Sequence, residues 1–202
     1  MDTVNVKING QNYSVPKGST ILEAARFAGI TIPTLCYLKD INEIGACRMC
    51  VVEVKGARSL VASCVFPVNE GMEISTNSPA VVEARKTNLE LLLSNHEKKC
   101  LSCVRSQNCE LQKLCKEYGV DKEDAFEGEM TPSEVDRTAT HMVRNNAKCV
   151  LCRRCVAACQ KLQSVAVIGA STVKTTVKKS AERAAFLGRP VHSVARSPGA
   201  GV

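Results

Sequence analysis

Residues 3–8 alternate apolar and polar, with Val4, Val6 and Ile8 set against Thr3, Asn5 and Lys7, the period of a half-buried strand. Asn9-Gly10 follows, a pair favoured in two-residue hairpin turns because both positions take positive φ, and Gln11–Val15 reads as the returning strand. Thr20-Ile21-Leu22-Glu23 has the spacing of a capping box. It opens a short helix from Thr20 to about Ala28, stopped at Gly29. Apolar runs predict further strands at Val51–Val54 and Leu60–Ala62. Ser78-Pro79, with Ser at the N-cap and Pro at the first helical position, starts a longer helix. Its Val82, Leu89, Leu92 and Leu93 form an apolar stripe that runs through Ser94 and delivers His96. Another helix is expected over Cys109–Tyr118. The acidic, polar stretch Asp121–Thr140, with Pro132, reads as a linker or irregular connection.

A hairpin followed by a helix packed on it is how a β-grasp begins, and the pattern as a whole predicts an α+β protein of small modules. Composition sharpens this. The 202 residues hold twelve Cys against four Phe, three Tyr and no Trp. With so little aromatic bulk, small modules need another source of stability, and below about 70–80 residues that is commonly a disulfide set or a metal. The first residues form neither a charged nor an apolar leader region, and no run of about 18 apolar residues occurs. A cytoplasmic chain without membrane insertion is therefore expected. In that compartment thiols stay reduced, and clustered Cys point to metal or catalysis rather than disulfides.

The net charge of +7 is concentrated at one end. Beyond residue 169, six Lys and Arg face only Glu182, and the preceding part is nearly balanced. No basic surface interleaved with aromatics is evident, so nucleic-acid binding is not expected. Residues 170–202 read as a basic, disordered tail with a short helix near Ser180–Leu187.

The cysteines fall into three groups. Cys36, Cys47, Cys50 and Cys64 are spaced C-x10-C-x2-C-x13-C, which keeps the order of the plant-type [2Fe–2S] pattern C-x4-C-x2-C…C but lengthens its first interval. Small Gly45 and Ala46 suit a loop whose N–H groups approach sulfur closely. His96, Cys100, Cys103 and Cys109 form H-x3-C-x2-C-x5-C. Taken alone, this set of three thiols and one imidazole suits a structural zinc site as well as an iron–sulfur cluster. Cys149, Cys152, Cys155 and Cys159 form C-x2-C-x2-C-x3-C, the bacterial-ferredoxin [4Fe–4S] run with Gln160 in place of the usual Pro, and this run draws the middle set toward iron–sulfur as well. In two-cluster ferredoxins the fourth Cys of such a run serves the other cluster. No second run follows here, so the third set allows a [4Fe–4S] cluster, a [3Fe–4S] cluster, an outside ligand or an empty site. Cys115 falls outside any complete set and reads as a small buried helix residue. His141 and His192 have no ligand-spaced partners.

This order of motifs resembles the N-terminal electron-entry region of multi-subunit NAD(P)-linked [FeFe] hydrogenases. The same layout is found in the large iron–sulfur subunit of complex I and in NAD-linked formate dehydrogenases. The resemblance extends to the Asn108-Cys109-Glu110-Leu111-Gln112 context and to Cys149–Gly169, and it covers residues 1–169. It implies a β-grasp [2Fe–2S] domain over 1–78 and a small helical module with a His-ligated [4Fe–4S] cluster over 79–120. A partial bacterial-ferredoxin-like module over 121–169 and the tail over 170–202 complete the expected division. It also implies electron transfer between a flavin/NAD(P)-binding subunit and a hydrogenase or dehydrogenase catalytic subunit. No Gly-rich dinucleotide motif, H-cluster ligand region or nucleophile–base constellation is evident, so no complete catalytic site is expected in the chain itself. Because the second ferredoxin run and H-cluster domain of the family do not follow, a truncated or frame-shifted copy, or a split-off subunit, is expected. A zinc-stabilised structural or binding module is the alternative from a different class.

Overall fold

The computed structural model describes residues 2–120, 126, 134–171 and 174–177. Strands β1 (Thr3–Ile8) and β2 (Gln11–Pro16) pair antiparallel in the register Val4↔Val15, Val6↔Tyr13 and Ile8↔Gln11. Asn9 and Gly10 both have positive φ, 51° and 86°, as a turn matched to the strand twist requires. Val4, Val6, Ile8 and Val15 are buried, so the alternation places one face of the hairpin on the core.

Helix α1 (Ile21–Phe27) covers that face with Ile21, Leu22, Ala24 and Ala25. Its capping box is complete: Thr20 Oγ1 accepts from Glu23 N–H at 3.3 Å, and Thr20 N–H donates to the Glu23 carboxylate at 3.0 Å. At the other end Gly29, φ 74°, closes the helix as a Schellman cap, with Gly29 N–H on Arg26 O and Ile30 N–H on Ala25 O. Replacing Thr20 by Ala should lower the unfolding free energy by about 1 kcal/mol, read as a lower denaturant midpoint. Hydrogen bonding, first to Thr20 N–H, holds the Glu23 carboxyl below its ordinary value. That contribution is therefore full above the unfolded carboxyl pKa and is lost as pH falls through the folded one.

Strands β3 (Val51–Val54), β4 (Val61–Ala62) and β5 (Glu73–Ser75) complete a five-stranded sheet in the order β2-β1-β5-β3-β4. The β5 strand was not expected. It lies parallel to β1 and antiparallel to β3, and so joins the hairpin to the cysteine-bearing half. Helix α2 (Pro79–Ser94) begins at the Ser78 N-cap as expected and packs on β3 and on helix α3 (Glu110–Glu117). Its inward line is Val81, Arg85 and Leu89, whereas Val82, Leu92 and Leu93 of the expected stripe are half-buried. Because α2 joins both, the modules expected on either side of residue 78 lie within one compact unit, which ends at residue 130.

The second unit begins at residue 131. Its described part holds the antiparallel pair β6 (Val135–Ala139) and β7 (Met142–Asn145), helix α4 (Arg154–Lys161), and the antiparallel pair β8 (Ile168–Ser171) and β9 (Lys174–Val177). Two expectations need correction. The connection over 121–140 includes strand β6, and the boundary expected at residue 170 falls inside strand β8, which pairs with β9; the expected tail beyond residue 177 lies outside the described residues. The short helix near Ser180–Leu187 and His192 lie outside the described residues. Among the described residues no helix is long and apolar enough to cross a membrane.

Candidate metal centres

The first set of thiols gathers on loops around the edge of the five-stranded sheet. Cys36 lies in the loop after α1, where buried Asn42 donates from Nδ2 to the Cys36 carbonyl at 2.7 Å. Cys47 and Cys50 lie on the loop that feeds β3, and Cys64 follows β4. That loop is bent sharply. Gly45 has φ 59°, and a side chain there would meet Val65 at 3.4 Å. Arg48, between the two cysteines, has φ 55°, a region that few non-glycine residues occupy. Cys36, Cys50 and Cys64 are about 1% exposed, and Cys47 is half-buried.

The sulfurs stand as two pairs. Cys50 and Cys64 Sγ are 3.3 Å apart, and Cys36 shares a hydrogen bond with Cys47. Within each pair one thiol stabilises its neighbour as thiolate. The Cys36 thiol lowers Cys47, helped against the cost of burial by the N–H groups of Met49, Leu35 and Cys36. The Cys64 thiol lowers Cys50, and Cys36 and Cys64 are themselves pushed up. Metal binding needs all four as thiolates, and the pairing that favours the thiolate of Cys47 and Cys50 disfavours that of Cys36 and Cys64. Among the described residues no three His, Cys, Asp or Glu side chains close on a single ion. Two pairs suit a two-iron, four-thiolate cluster better than one zinc ion.

The second set lies between α2 and α3. Helix α2 ends at Ser94, and His96 follows its C-cap with its N–H on the Leu93 carbonyl at 3.1 Å and its Nδ1 shielded from solvent. Cys100 opens a 3-10 turn over Cys100–Ser102. Gln107, φ 66°, reverses the chain with its N–H on Gln112 Oε1 at 3.1 Å, and Cys109 is the N-cap of α3. His96, Cys100, Cys103 and Cys109 line one cavity of about 290 Å³. Three soft thiols and an imidazole facing a common space make a donor set that fits an iron–sulfur cube. Cys115 lies on α3 as expected, but it is half-buried and lines the same cavity.

The third set is in the second unit. Leu151 and Arg153, on either side of Cys152, both have positive φ, 57° and 59°, and they coil the loop from Cys149 to Cys155. Leu151 N–H points at Cys149 Sγ at 3.4 Å. Cys155 is exposed, Cys149 and Cys152 are half-buried, and Cys159 is buried on α4. Burial, the largest influence, raises the Cys152 thiol above its ordinary value. His141 lies in the turn between β6 and β7 and joins none of the sets.

One residue beside the sites was not recognised from the sequence. Arg85, the middle of the inward line of α2, is 2% exposed. It donates from Nη2 to the carbonyl of Val51, the neighbour of Cys50, at 2.8 Å, and from Nη1 to Tyr118 Oη at 2.9 Å. Its position four residues from Val81 and from Leu89, a charge in an apolar row, was the available signal.

Comparison with known proteins agrees with this geometry. The family model described as 2Fe-2S iron-sulfur cluster binding domain matches residues 1–79, and the model described as NADH-ubiquinone oxidoreductase-G iron-sulfur binding region matches residues 85–124. The chain is 44% identical over 173 residues to the NADP-reducing hydrogenase subunit HndD of Solidesulfovibrio fructosivorans, covering 83% of this chain and 29% of that protein. It is 36% identical over 169 residues to the mitochondrial NADH dehydrogenase [ubiquinone] iron-sulfur protein 1 of Solanum tuberosum, covering 83% of this chain and 23% of that one. The chain thus spans under a third of the length of these relatives. Among solved structures, the crystal structure of an NAD+-reducing [NiFe]-hydrogenase in the H2-reduced state superposes with a TM-score of 0.79 at 27% identity, covering 88% of this chain and 76% of that one. Two iron–sulfur families in succession set the zinc alternative aside. The chain thus carries a match to a 2Fe-2S iron-sulfur cluster binding domain over 1–79 and to an NADH-ubiquinone oxidoreductase-G iron-sulfur binding region over 85–124, and over most of its length it is similar to part of an NADP-reducing hydrogenase subunit and of an NADH dehydrogenase iron-sulfur protein.

Proposed function

We propose that the chain relays single electrons between a flavin/NAD(P)-binding partner subunit and a hydrogenase-type redox site on another. The observation that carries this reading is the sharing of one compact unit by two donor sets: the paired thiols of the sheet edge and the cavity lined by His96 and three thiols, tied together by α2. Cys36, Cys47, Cys50 and Cys64 would hold a [2Fe–2S] cluster. His96, Cys100, Cys103 and Cys109 would hold a [4Fe–4S] cluster, and Cys149, Cys152, Cys155 and Cys159 a further [4Fe–4S] or [3Fe–4S] cluster. When bound, these groups supply reversible one-electron exchange at potentials set by ligand type, hydrogen bonds and burial.

The residues of the chain do the rest. Buried Cys50 and Cys64 exclude water from one side of the first site, and the N–H groups around Cys47 stabilise negative charge on sulfur. The coil at Leu151 and Arg153 bends the third loop around Cys152, the kind of curl a cluster-wrapping loop would need. The imidazole of His96 contributes one negative charge fewer than a fourth thiolate, which favours the reduced form. Support for partner subunits comes from the relatives, whose names include an NADP-reducing hydrogenase subunit and an NADH dehydrogenase protein.

The test is the iron and acid-labile sulfide content of anaerobically purified protein. About ten irons per chain is the expected result for three filled sites. About six would mean that the third site stays empty and that the relay runs through the first two. Zinc without sulfide would overturn the reading.

A further inference from the structure

Arg85 is a buried cation without a buried anion. The residue is 2% exposed, its Nε is shielded from solvent and makes no hydrogen bond, and among the described residues it forms no ion pair. Its contacts are the Val51 carbonyl at 2.8 Å, the Tyr118 hydroxyl at 2.9 Å, and the Tyr118 ring, whose centroid lies 5.9 Å from the guanidinium carbon. Glu110 and Glu117 line the same groove without coming into ion-pair range of it. Burying an unpaired charge is costly unless something compensates it. Arginine cannot lose its proton to escape that cost, and two neutral acceptors and a ring face are weak compensation.

The contacts themselves lead toward the donor loops. Val51 is bonded to Cys50, one of the deepest thiols of the first site. On the same helix, Asn88 donates to the carbonyl of Arg48, inside the Cys47–Cys50 loop, at 3.1 Å. Tyr118 is the C-cap of α3, whose N-cap is Cys109. Arg85 is thus anchored to the backbone of one donor loop and to the helix that carries a donor of the other. A cluster held by four thiolates gains a further negative charge on reduction, and a fixed buried cation beside its loop stabilises that charge in a medium that screens weakly.

We propose that Arg85 is the internal counter-charge of the iron–sulfur site formed by Cys36, Cys47, Cys50 and Cys64. As a positioning residue it holds up the reduction potential of that site through the Val51 carbonyl contact. This rests on the two-iron reading of that site given above. The test compares Arg85→Gln and Arg85→Met, which remove the charge, with Arg85→Lys, which keeps it, and Tyr118→Phe, which removes one contact but not the charge. Each protein is prepared with its clusters. Iron and sulfide content and far-ultraviolet circular dichroism are checked first, and the potential of the two-iron signal is then titrated by electron paramagnetic resonance.

The two charge-free variants should make reduction about tenfold less favourable, about 59 mV for one electron, with cluster content unchanged. Arg85→Lys and Tyr118→Phe should move much less. Wild-type potential in a folded, fully loaded Arg85→Gln or Arg85→Met protein overturns the proposal. So does an equal shift in all four variants, which would point to loosened packing rather than charge. If neither charge-free variant folds or loads its clusters, Arg85 serves the fold itself and the proposal falls. Absence of a two-iron signal from the wild-type protein would instead refute the reading on which it rests.

Discussion

Cys64→Ala should leave a protein that binds no [2Fe–2S] cluster and that has lost much of the stability of its first module. Cys64 lies in the same buried cluster as Ile21, Leu22 and Val52, with its sulfur 3.3 Å from that of Cys50. An alanine there removes one of the four proposed donors, and its methyl group cannot ligate iron. Because site and fold form together, the free energy of cluster binding is also folding free energy. The iron count should fall by about two per chain, and the reduced two-iron resonance should vanish while that of the second site persists. Cys64→Ser, which keeps an oxygen donor, should retain part of the signal. A full two-iron signal in the alanine variant would remove Cys64 from the donor set.

His96→Cys should lower the potential of the second cluster. A fourth thiolate adds one negative charge and disfavours the incoming electron, on the order of 59 mV for each tenfold loss in the reduction equilibrium. His96→Ala should instead leave three thiolates and yield a [3Fe–4S] form with about one iron fewer per chain. The side chain follows the C-cap of α2 and faces the same cavity as Cys100, Cys103 and Cys109, so the change acts at the site rather than through distant packing. Redox titration of the purified variants checks both. A potential that stays constant or rises in His96→Cys would assign the fourth donor elsewhere, and Cys115, which lines that cavity, would be the thiol to replace next.

What the sequence determined by itself was local. The alternation of Val4, Val6 and Ile8, the Asn9-Gly10 turn, the Thr20–Glu23 capping box and the Ser78-Pro79 helix start each depend on neighbours within four residues, and the structure has each of them in place. The spacing of the cysteines carried the division into three sets for the same reason: a short interval between donors restricts the loop whatever the remainder of the chain does.

Tertiary structure decided what depends on partners far along the chain. Three-residue β5 has too little sequence to show a period, and it exists because β1 and β3 flank it. The pairing of Cys36 with Cys47 and of Cys50 with Cys64 follows from where the sheet places their loops, and no interval encodes it. Arg48, Gln107, Leu151 and Arg153 take left-handed backbone without being glycine. Such conformations are held by their surroundings rather than favoured by residue type, so composition could not announce them. Arg85 shows the same principle for charge. Helical spacing placed it in line with Val81 and Leu89, but only the packed helix, with Val51 on one side and Tyr118 on the other, turned an arginine into part of the interior.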